Sequence, residues 1–405
     1  MNKTILIVSG GEEAIPGIKL AKQIGFNVVV SDGNKNAPGF KYSDYKIIAS
    51  TYDFEASVKA ALEFNNNVKK IDGVICIASD VPLTVAKIAN KLNLPGISVK
   101  AAKLATNKLA MKKHFYKDKI PIPWFTSIKS LDHLKKLVLK KSYPLVIKPV
   151  DSRGSRGVLL LKKGINLEWA FNTAKKFSPS NRVMIEKFMK GPQVSTESLV
   201  IDGKAFTPGF SDRNYEFLNH FAPHIIENGG QLPSKLRTST KKLVHNLIQK
   251  CSESMGIQNG VLKGDIVITN GKPFIIEIAT RLSGGYFCSH EIPLNTGVDF
   301  VGAAIRQSVG DKIDSFEVTP KFNRPVAQRY IFPSPGKVIS INMPKWISND
   351  PEIPFFKLRV NKGDMIEPVF NHPSRAGLVI ATGSKVSDAI KKAKNAVSSI
   401  EIKTL

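Results

Sequence analysis

The chain has 405 residues, of which 42% are hydrophobic and 23% are charged. At roughly 100–200 residues per domain, this length predicts two to four domains, and the composition excludes general disorder, a collagen-like fibre and a disulfide scaffold. No apolar run reaches the roughly 18–20 residues that span a bilayer, and the N-terminus lacks the pattern of a signal peptide. Three widely separated cysteines fit a reducing compartment, so we expect a cytoplasmic protein without membrane contacts.

The net charge of +26 is unusual and comes from 59 basic and 33 acidic residues. Such a balance is typical of nucleic-acid binding, because basic side chains neutralise phosphates. Here, however, the lysines are scattered as pairs on predicted helix faces, with no basic tail and no stripe interleaved with aromatic residues. We therefore expect a solvated basic surface whose field attracts small anionic substrates, and no nucleic-acid partner.

The first hundred residues alternate short apolar runs with amphipathic stretches. Strands are predicted at 5–9, 28–31 and 73–78, and helices at 14–25, 54–64 and 82–92. This alternation is typical of a parallel sheet with helices on its faces. Gly10-Gly11 and Asp32 stand where a dinucleotide site would have its glycines and acid, but the Gly-x-Gly-x-x-Gly spacing is absent. We expect a Rossmann-like shell without that cofactor.

The middle of the chain has the pattern of an antiparallel sheet. Strands are predicted at 146–149, 157–161, 183–186, 193–200 and 204–210, and a long amphipathic helix at 241–256. Two further apolar runs, 264–268 and 274–278, flank Asn270-Gly271, which is a strong hairpin signal. After about residue 321 the chain becomes rich in Pro and Gly with short strands, and a helix at 386–397 closes it.

A glycine-bearing loop follows Lys148 at the end of a predicted strand. Its residues are Ser152, Arg153, Gly154, Ser155, Arg156 and Gly157. The glycines permit a tight turn whose N–H groups can face an anion, and two arginines add positive charge. A plain hairpin loop is the alternative, but the basic residues favour phosphate binding. The loop is not a Walker A motif, because Gly-Lys-Ser/Thr is missing and a strand follows.

Asp265 and Glu277 are acids inside the two apolar runs of the predicted hairpin. A carboxylate among β-branched neighbours is costly unless it is paired or bound to a metal. Counting from the Asn270-Gly271 turn brings both onto adjacent strands, where their oxygens suit Mg²⁺ and nucleotide phosphates. Neutralisation by Lys or Arg is an equally good interpretation of the two acids taken alone.

The order of these features resembles the ATP-grasp superfamily over nearly the whole chain. The motifs that carry the resemblance are Ala105-Thr106-Asn107-Lys108, Val146-Ile147-Lys148-Pro149 with its glycine loop, Ile185-Glu186-Lys187-Phe188-Met189, Asp265, and Glu277-Ile278-Ala279-Thr280-Arg281-Leu282-Ser283-Gly284-Gly285. The resemblance implies a mixed α/β and α+β fold. It divides the chain into a Rossmann-like domain (1–106), an ATP-grasp domain (107–310) with a lid lobe at about 120–190, and a small β-rich C-terminal lobe (311–405) similar to that of biotin carboxylase.

The resemblance also implies roles for particular residues, with ATP and Mg²⁺ as cofactors. Lys108 and Lys148 would contact nucleotide phosphates beneath the mobile loop 152–157. The hinge between the lobes would bind adenine through the backbone of Glu186, Lys187, Phe188 and Met189. Asp265 and Glu277 would hold Mg²⁺, and Arg281 would be the catalytic residue that steadies the acyl phosphate.

Two departures from the family pattern concern the metal and the ribose. Ala279 replaces an asparagine that many members use as a metal ligand, and Gln193 replaces a ribose-binding glutamate. The acceptor pocket is expected between strand and helix, with Arg213 for a carboxylate and Glu216 or Glu227 for an ammonium group, near Ser283, Gly284 and Gly285. A solvated loop is the alternative for the segment 211–228. His372, on a lysine-rich stretch, is predicted at the surface.

The resemblance implies an ATP-dependent ligase that joins a small carboxylate to an amine (or thiol) through an acyl phosphate, closest to the amino-acid ligases and active as a homodimer. A carbamoyl-phosphate or purine-biosynthesis type of enzyme is the alternative. A nucleotide-binding protein that has lost catalysis is a third hypothesis, suggested by Ala279 and Gln193.

Overall fold

The computed structural model of the chain describes residues 2–405, which begin with a parallel sheet flanked by helices. Its strand order is β3-β2-β1-β4, and every residue of the inner strand β1 is buried because helices cover both faces. Helix α1 starts with Pro16 in its first turn and ends at Gly25, whose φ of +100° suits a C-cap. The elements are β1 (Thr4–Val8), α1 (Ile15–Ile24), β2 (Asn27–Asp32), β3 (Tyr45–Ile48), α2 (Phe54–Asn67), β4 (Gly73–Ile75), α3 (Pro82–Lys91) and α4 (Val99–Ala105).

A small lid of four antiparallel strands and three helices follows. The strand order is β5-β8-β6-β7, and the helices α6 and α7 cover one face with a compact apolar core. The elements are α5 (Lys108–Lys117), β5 (Phe125–Ile128), α6 (Leu131–Lys141), β6 (Leu145–Pro149), β7 (Leu159–Leu161), α7 (Leu167–Lys176) and β8 (Val183–Lys187).

The rest of the chain is built on one eight-stranded antiparallel sheet with the order β13-β12-β9-β10-β11-β14-β18-β16. Three strands from the expected C-terminal lobe continue this sheet, so its hydrogen bonding runs across residue 310. A separate small sheet has the order β17-β15-β19. The elements are β9 (Gln193–Ile201), β10 (Lys204–Asn214), β11 (Gly229–Leu232), α8 (Thr238–Met255), β12 (Gly260–Thr269), β13 (Lys272–Ala279), α9 (Ile292–Thr296), α10 (Phe300–Ser308), β14 (Val326–Ile331), β15 (Gly336–Asn342), α11 (Lys345–Asn349), β16 (Phe355–Leu358), β17 (Met365–Ile366), β18 (Gly377–Thr382), α12 (Val386–Ser399) and β19 (Glu401–Thr404).

The apolar cores lock these parts together. The largest core joins one face of the N-terminal sheet and helix α10 to the eight-stranded sheet, and it contains Phe300 and Tyr286. Helix α8 packs on β10 and β13 through a second core, and α12 covers β14 and β18 through a third. The N-terminal sheet and the large sheet therefore share an interface, and the lid, whose core is separate, contacts the large-sheet part of the chain through the bridge between Leu159 and His224.

The mixed α/β architecture predicted from the sequence is confirmed, and the hairpin turn lies at Asn270-Gly271, where both residues have positive φ. Asp32 does not face an open site: its carboxylate accepts hydrogen bonds from the backbone N–H of Gly10 and Asn34, both at 2.8 Å. Among residues 2–405, none of the helices has the length and apolar character needed to cross a membrane.

Candidate active site

A cavity of about 1380 Å³ opens where the N-terminal sheet, the lid and the eight-stranded sheet meet. It is lined by six of the chain's 11 arginines but by only six of its 48 lysines, so the arginines are concentrated here. Nearly all of the predicted site residues reach it, although they come from six separate segments of the chain. Those that line the cavity are Lys108, Lys148, Ser152, Arg153, Gly154, Ser155, Arg156, Glu186, Lys187, Phe188, Met189, Gln193, Arg213, Glu227, Asp265, Glu277, Arg281, Ser283, Gly284 and Gly285.

Two predicted residues lie elsewhere. Gly157 is packed behind the loop, where an added Cβ would lie 2.9 Å from Phe177 and 3.0 Å from Pro149. The carboxylate of Glu216 turns away from the cavity, because it accepts hydrogen bonds from Asn228 (3.0 Å) and from Lys394 of α12 (2.8 Å). Of the two acids considered for an ammonium group, only Glu227 therefore faces the cavity.

A cluster of buried charged side chains lies at the end of the cavity next to the lid, which we call the lid end. Lys148 on β6 and Lys112 on α5 both contact the carboxylate of Glu186 on β8, with N–O distances of 2.6 and 3.0 Å. Burial lowers the pKa of Lys112 to about 8, although the Glu186 carboxylate opposes the shift. Burial alone would raise the pKa of Glu186, but the two ammonium groups hold it below its usual value. Both carboxylate oxygens of Glu186 are thus paired with lysines inside the protein.

The strip Lys187–Met189, at the end of β8, leaves one backbone N–H available as a hydrogen-bond donor. The N–H of Lys187 donates to Trp124 O (2.9 Å), and that of Phe188 to Pro144 O (3.3 Å). Among the described residues, none accepts a hydrogen bond from the N–H of Met189, which lines the cavity. An adenine ring has a matching acceptor, so this strip offers the donor that such a base needs.

The glycine loop closes over the cavity by contacts with distant segments. Ser155 Oγ donates to Ile225 O (2.7 Å), and Gly154 O accepts from the N–H of His372 (3.0 Å). The guanidinium of Arg153 lies 3.7 Å from the ring centroid of Tyr52. Gly154 has a φ of +59°, a conformation that glycine adopts without strain. The surface position predicted for His372 is wrong: it packs in the cavity wall, and burial lowers its pKa well below the usual value.

Asp265 and Glu277 face each other as a cross-strand pair between β12 and β13. Arg213 Nη1 and Ser195 Oγ each lie 2.9 Å from the Asp265 carboxylate, and Lys263 also contacts it. Burial alone would raise the pKa of Asp265, but Arg213 and Lys263 hold it far below the ordinary value. Glu277 contacts Lys108 Nζ at 2.9 Å, and Asn107 places this lysine by capping α5.

The two acids fit a Mg²⁺ ion, which proteins commonly bind through one or two carboxylates together with substrate phosphates. Residues 2–405 contain no cluster of three or more acids, histidines or cysteines that would hold a metal without such phosphates. The donor set therefore suits a metal that arrives with the nucleotide.

Arg281 links the large sheet to the N-terminal sheet. Its Nε donates to Asp80 Oδ1 at 2.7 Å, and this carboxylate raises the pKa of the guanidinium against the opposing effect of burial. The next turn is held by Glu197, which is fully buried and accepts a hydrogen bond from Ser283 N (2.8 Å). Burial raises the pKa of Glu197 to about 7, although the bonds from Ser283 oppose it.

Sequence reasoning missed the part of the cavity wall that comes from the two ends of the chain. Glu13 and Asp80 lie in the segments that follow β1 and β4 of the N-terminal sheet, whereas Tyr330, Arg359 and Arg375 belong to the last third of the chain. None lies in a motif, since strand pairing alone brings them together. The scarcity of arginine in a lysine-rich chain was the one available signal, because a guanidinium suits bidentate recognition of carboxylates and phosphates better than an ammonium group does.

Comparison with known proteins agrees with this geometry. Residues 105–285 match the ATP-grasp domain family, and residues 329–404 match the L-amino acid ligase C-terminal domain 2. The formate-dependent phosphoribosylglycinamide formyltransferase of Saccharolobus solfataricus is 23% identical, over 99% of this chain and 98% of that protein.

Two solved structures show the same fold over the whole chain. The L-amino acid ligase from Bacillus licheniformis has a TM-score of 0.84 at 21% identity and covers 100% of this chain and 99% of its own. The biotin carboxylase domain dimer of Hydrogenobacter thermophilus 2-oxoglutarate carboxylase, solved with MgADP, ADP and bicarbonate, has a TM-score of 0.76 at 20% identity, covering 100% of this chain and 91% of its own.

The matched domains confirm the resemblance that the sequence motifs indicate, including the use of ATP and Mg²⁺. The chain belongs to the ATP-grasp superfamily, as an ATP-dependent ligase that forms a C–N bond through an acyl phosphate.

Proposed function

We propose that this ligase joins two amino acids, by activating the carboxylate of a donor and coupling it to the amine of an acceptor. The observation that carries the proposal is the division of one cavity into an end beside the lid, which contains Lys108, Lys148 and the glycine loop, and an end beside the C-terminal strands, where the charged side chains include Arg213, Arg281, Arg359 and Arg375. A nucleotide triphosphate needs the first, and substrates with several carboxylates need the second. The match of residues 329–404 to the L-amino acid ligase C-terminal domain 2 supports the same substrate class.

At the nucleotide end, we assign the phosphates to Lys108 and Lys148, beneath the loop Ser152–Gly157. The Met189 N–H would hydrogen-bond the adenine, since its neighbours' N–H groups are already used. Gln193, which lines the cavity at the start of β9, would hydrogen-bond the ribose without charge assistance. These groups position the γ-phosphoryl group, and positioning is the main requirement of phosphoryl transfer.

Asp265 and Glu277 are the proposed Mg²⁺ ligands. A bound Mg²⁺ ion neutralises charge on the β- and γ-phosphates. Lys108 already contacts Glu277 and Lys263 already contacts Asp265, so each acid has an ammonium group beside it that can move to a phosphate oxygen. Lys263 lies two residues before Asp265 on β12, and we add it to the proposed phosphate-binding set.

Arg281 is the proposed catalytic residue. A donor carboxylate oxygen attacks the γ-phosphorus, ADP leaves, and the new acyl phosphate carries negative charge that a guanidinium stabilises. The acceptor amine then attacks the acyl carbon and releases phosphate. Arg213, Glu227 and the turn Ser283-Gly284-Gly285 line this part of the cavity and would hold the two substrates.

A carboxylating or formate-using reaction of the purine-biosynthesis type is the second candidate. The full-length similarity to a formate-dependent phosphoribosylglycinamide formyltransferase favours it. Such an enzyme would need room for a ribose phosphate in addition to the nucleotide, and would use a single small carboxylate as donor.

The test is ADP release from Mg·ATP with the purified protein and pooled L-amino acids, followed by single pairs. We expect release that requires two amino acids, and a product with the mass of both minus water. The Glu277→Gln variant is the inactive control, and Glu401→Gln, at an exposed position on β19, is its matched control. Release that depends on formate or bicarbonate with a phosphoribosyl amine supports the second candidate. No release with any amino acids contradicts the proposal.

For location and assembly we propose a cytoplasmic homodimer. All three cysteines are buried and unpaired among the described residues, as suits a reducing compartment. The biotin carboxylase domain that shares the fold is described as a dimer. Light scattering on the purified chain tests the assembly: a mass near 89 kDa, which is roughly twice the 44.5 kDa chain, supports a dimer.

A further inference from the structure

Three side chains from the C-terminal strands meet in one wall of the cavity. Tyr330 lies on β14, Arg359 directly follows β16, and Arg375 lies two residues before β18. The strand ends are adjacent, since the N–H of Arg359 donates to Ala376 O at 2.8 Å. The Tyr330 ring lies under the guanidinium of Arg375, 3.5 Å from ring centroid to guanidinium carbon.

Arg375 is buried, with 8% of its surface exposed, yet it lacks an acidic partner. Its Nε donates to His372 O (2.8 Å) and its Nη1 to Glu227 O (3.3 Å). In the part of the chain from residue 2 to 405, no carboxylate lies within 4 Å of the guanidinium and no hydrogen bond uses Nη2. The two carbonyls and the tyrosine ring fix the plane of the group and leave one edge to the cavity.

The other cavity-lining arginines outside the glycine loop all have acidic partners. Arg213 contacts Glu227 and Asp265, Arg281 contacts Asp80, and Arg359 contacts Glu13. A buried guanidinium without a counter-charge is costly, and a planar group held at one face is suited to bidentate binding of a carboxylate. Arg375 is therefore preorganised for an anion that comes with a substrate.

The position of Arg375 assigns this anion to the acceptor. Tyr330 also touches the turn after Arg281, because a Cβ added at Gly285 would lie 2.6 Å from Tyr330 Oη. Arg375 thus stands beside the proposed site of acyl transfer and not beside the adenine strip. The reacting carboxylate of the donor becomes the acyl phosphate, whereas the carboxylate of an amino-acid acceptor persists through the reaction.

We propose that Arg375 binds the carboxylate of the acceptor and so restricts the enzyme to acceptors that carry a carboxylate close to the reacting amine. This inference rests on the proposed amino-acid ligase function. It makes Arg375 a specificity-determining residue, supported by Tyr330 beneath it, and it excludes simple amines, polyamines and amino-acid amides as efficient acceptors.

The test compares an acceptor amino acid with its carboxamide, using wild type, Arg375→Ala and Arg375→Lys. For wild type we expect kcat/KM to be roughly 100-fold higher with the acid than with the amide, and for Arg375→Ala we expect the ratio to fall to about 1. The loss lies in the KM of the acceptor, while the KM values of ATP and donor change by less than about twofold. Arg375→Lys should recover part of the ratio, because lysine restores the positive charge but lacks the planar pair of N–H donors that a guanidinium offers to a carboxylate.

Arg237→Ala is the matched control, since Arg237 is exposed and lies outside the cavity wall. It should behave as wild type. If Arg375→Ala does not fold, the comparison of acid with amide is still made for wild type and for Arg375→Lys, and those two ratios test the proposal. Equal loss with acid and amide, a rise only in the KM of ATP, or a wild type that accepts both equally overturns the proposal. A wild type with no amino-acid-dependent ADP release instead overturns the proposed function itself.

Discussion

At the lid end of the cavity three lysines pair with carboxylates and the glycine loop adds two arginines, whereas at the C-terminal end the cations are all arginines, one of which has no acidic partner. Lys148 contacts Glu186, Lys108 contacts Glu277 and Lys263 contacts Asp265, but Arg375 is held only by carbonyl groups and a tyrosine ring. Lysine is a flexible point charge that can exchange an internal partner for a phosphate. A stacked guanidinium has a fixed plane that selects the geometry of its ligand.

This difference indicates that the two ends recognise ligands in different ways. At the lid end, an arriving triphosphate with Mg²⁺ redistributes charges that are already balanced. At the C-terminal end, the ligand brings a charge that the protein lacks. Removal of a group at the lid end should therefore affect turnover or nucleotide binding, whereas changes at the other end should affect substrate choice.

The largest effect is expected from Glu277→Gln. The substitution keeps the shape of the side chain but removes a proposed metal ligand and the partner of Lys108. We expect turnover to fall by roughly a thousandfold or more, because the loss of metal coordination removes several kcal/mol of charge stabilisation. The thermal unfolding midpoint should stay close to that of wild type. Unchanged ADP production would show that Glu277 does not hold the metal.

A matched pair of lysine variants separates nucleotide binding from stability in the Glu186 cluster. Lys148 lines the cavity, but Lys112 is fully buried and does not. Lys148→Ala should raise the KM of ATP by about 100-fold through loss of a buried charge contact. Lys112→Met and Lys148→Ala should each lower the free energy of unfolding by about 3 kcal/mol, since each removes one partner of Glu186 from a buried ion cluster, but Lys112→Met should change the KM of ATP only slightly. Equal ATP KM values for the two variants would contradict these roles.

A pH-dependent stability should follow from Glu197. Its pKa is raised from 4.5 to about 7 by burial, so the proton is held more tightly in the folded state. The resulting stabilisation is complete below pH 4.5 and is lost as the pH rises through 7. Relative to Glu197→Gln, wild type should lose on the order of 3 kcal/mol in free energy of unfolding between pH 4.5 and pH 9. If the free energies of unfolding, measured by denaturant titration at several pH values, change in parallel for the two proteins, the raised pKa of Glu197 is wrong.

The smallest effect is expected from Gly285→Ala. Its φ is +68°, and the added Cβ would lie 2.6 Å from Tyr330 Oη. The control is Gly363→Ala, with a φ of +96° and no neighbour within 4 Å, which reports backbone strain alone. Both should lose about 1 kcal/mol of stability from strain. Only Gly285→Ala should also raise the KM of the acceptor, by about fivefold through displacement of Tyr330. If the two variants have identical kinetics, Tyr330 does not contribute to binding of the acceptor.

The lid end could be predicted from the sequence because its residues lie in short local patterns. Lys148 lies near the end of a strand directly before the glycine loop, and the Asn270-Gly271 turn brings Asp265 and Glu277 onto adjacent strands. Their direct pairing depends in addition on a shift in register between Asp265 and Ile266, which the turn does not predict. Strand alternation and turn chemistry are local properties, so one chain is enough to show them.

The C-terminal end could not be predicted in the same way, because its wall is assembled by long-range strand pairing. Tyr330 lies on β14, which pairs with β11, and Arg375 lies two residues before β18, which pairs with β14. Nothing in their local sequence indicates that the eight-stranded sheet extends this far. Glu216 and Glu227 are equivalent by sequence. Only the contact of Glu216 with Lys394 on α12 shows which of them faces the cavity.

The most direct measurement follows oxygen from donor to phosphate. A donor amino acid labelled with ¹⁸O in its carboxylate is incubated with Mg·ATP and acceptor, and the phosphate released is analysed by mass. Transfer of one ¹⁸O atom to phosphate per amide bond formed is the predicted result, because the carboxylate oxygen that attacks the γ-phosphorus leaves with it. Phosphate without label, formed alongside the amide product, would contradict an acyl phosphate in this cavity.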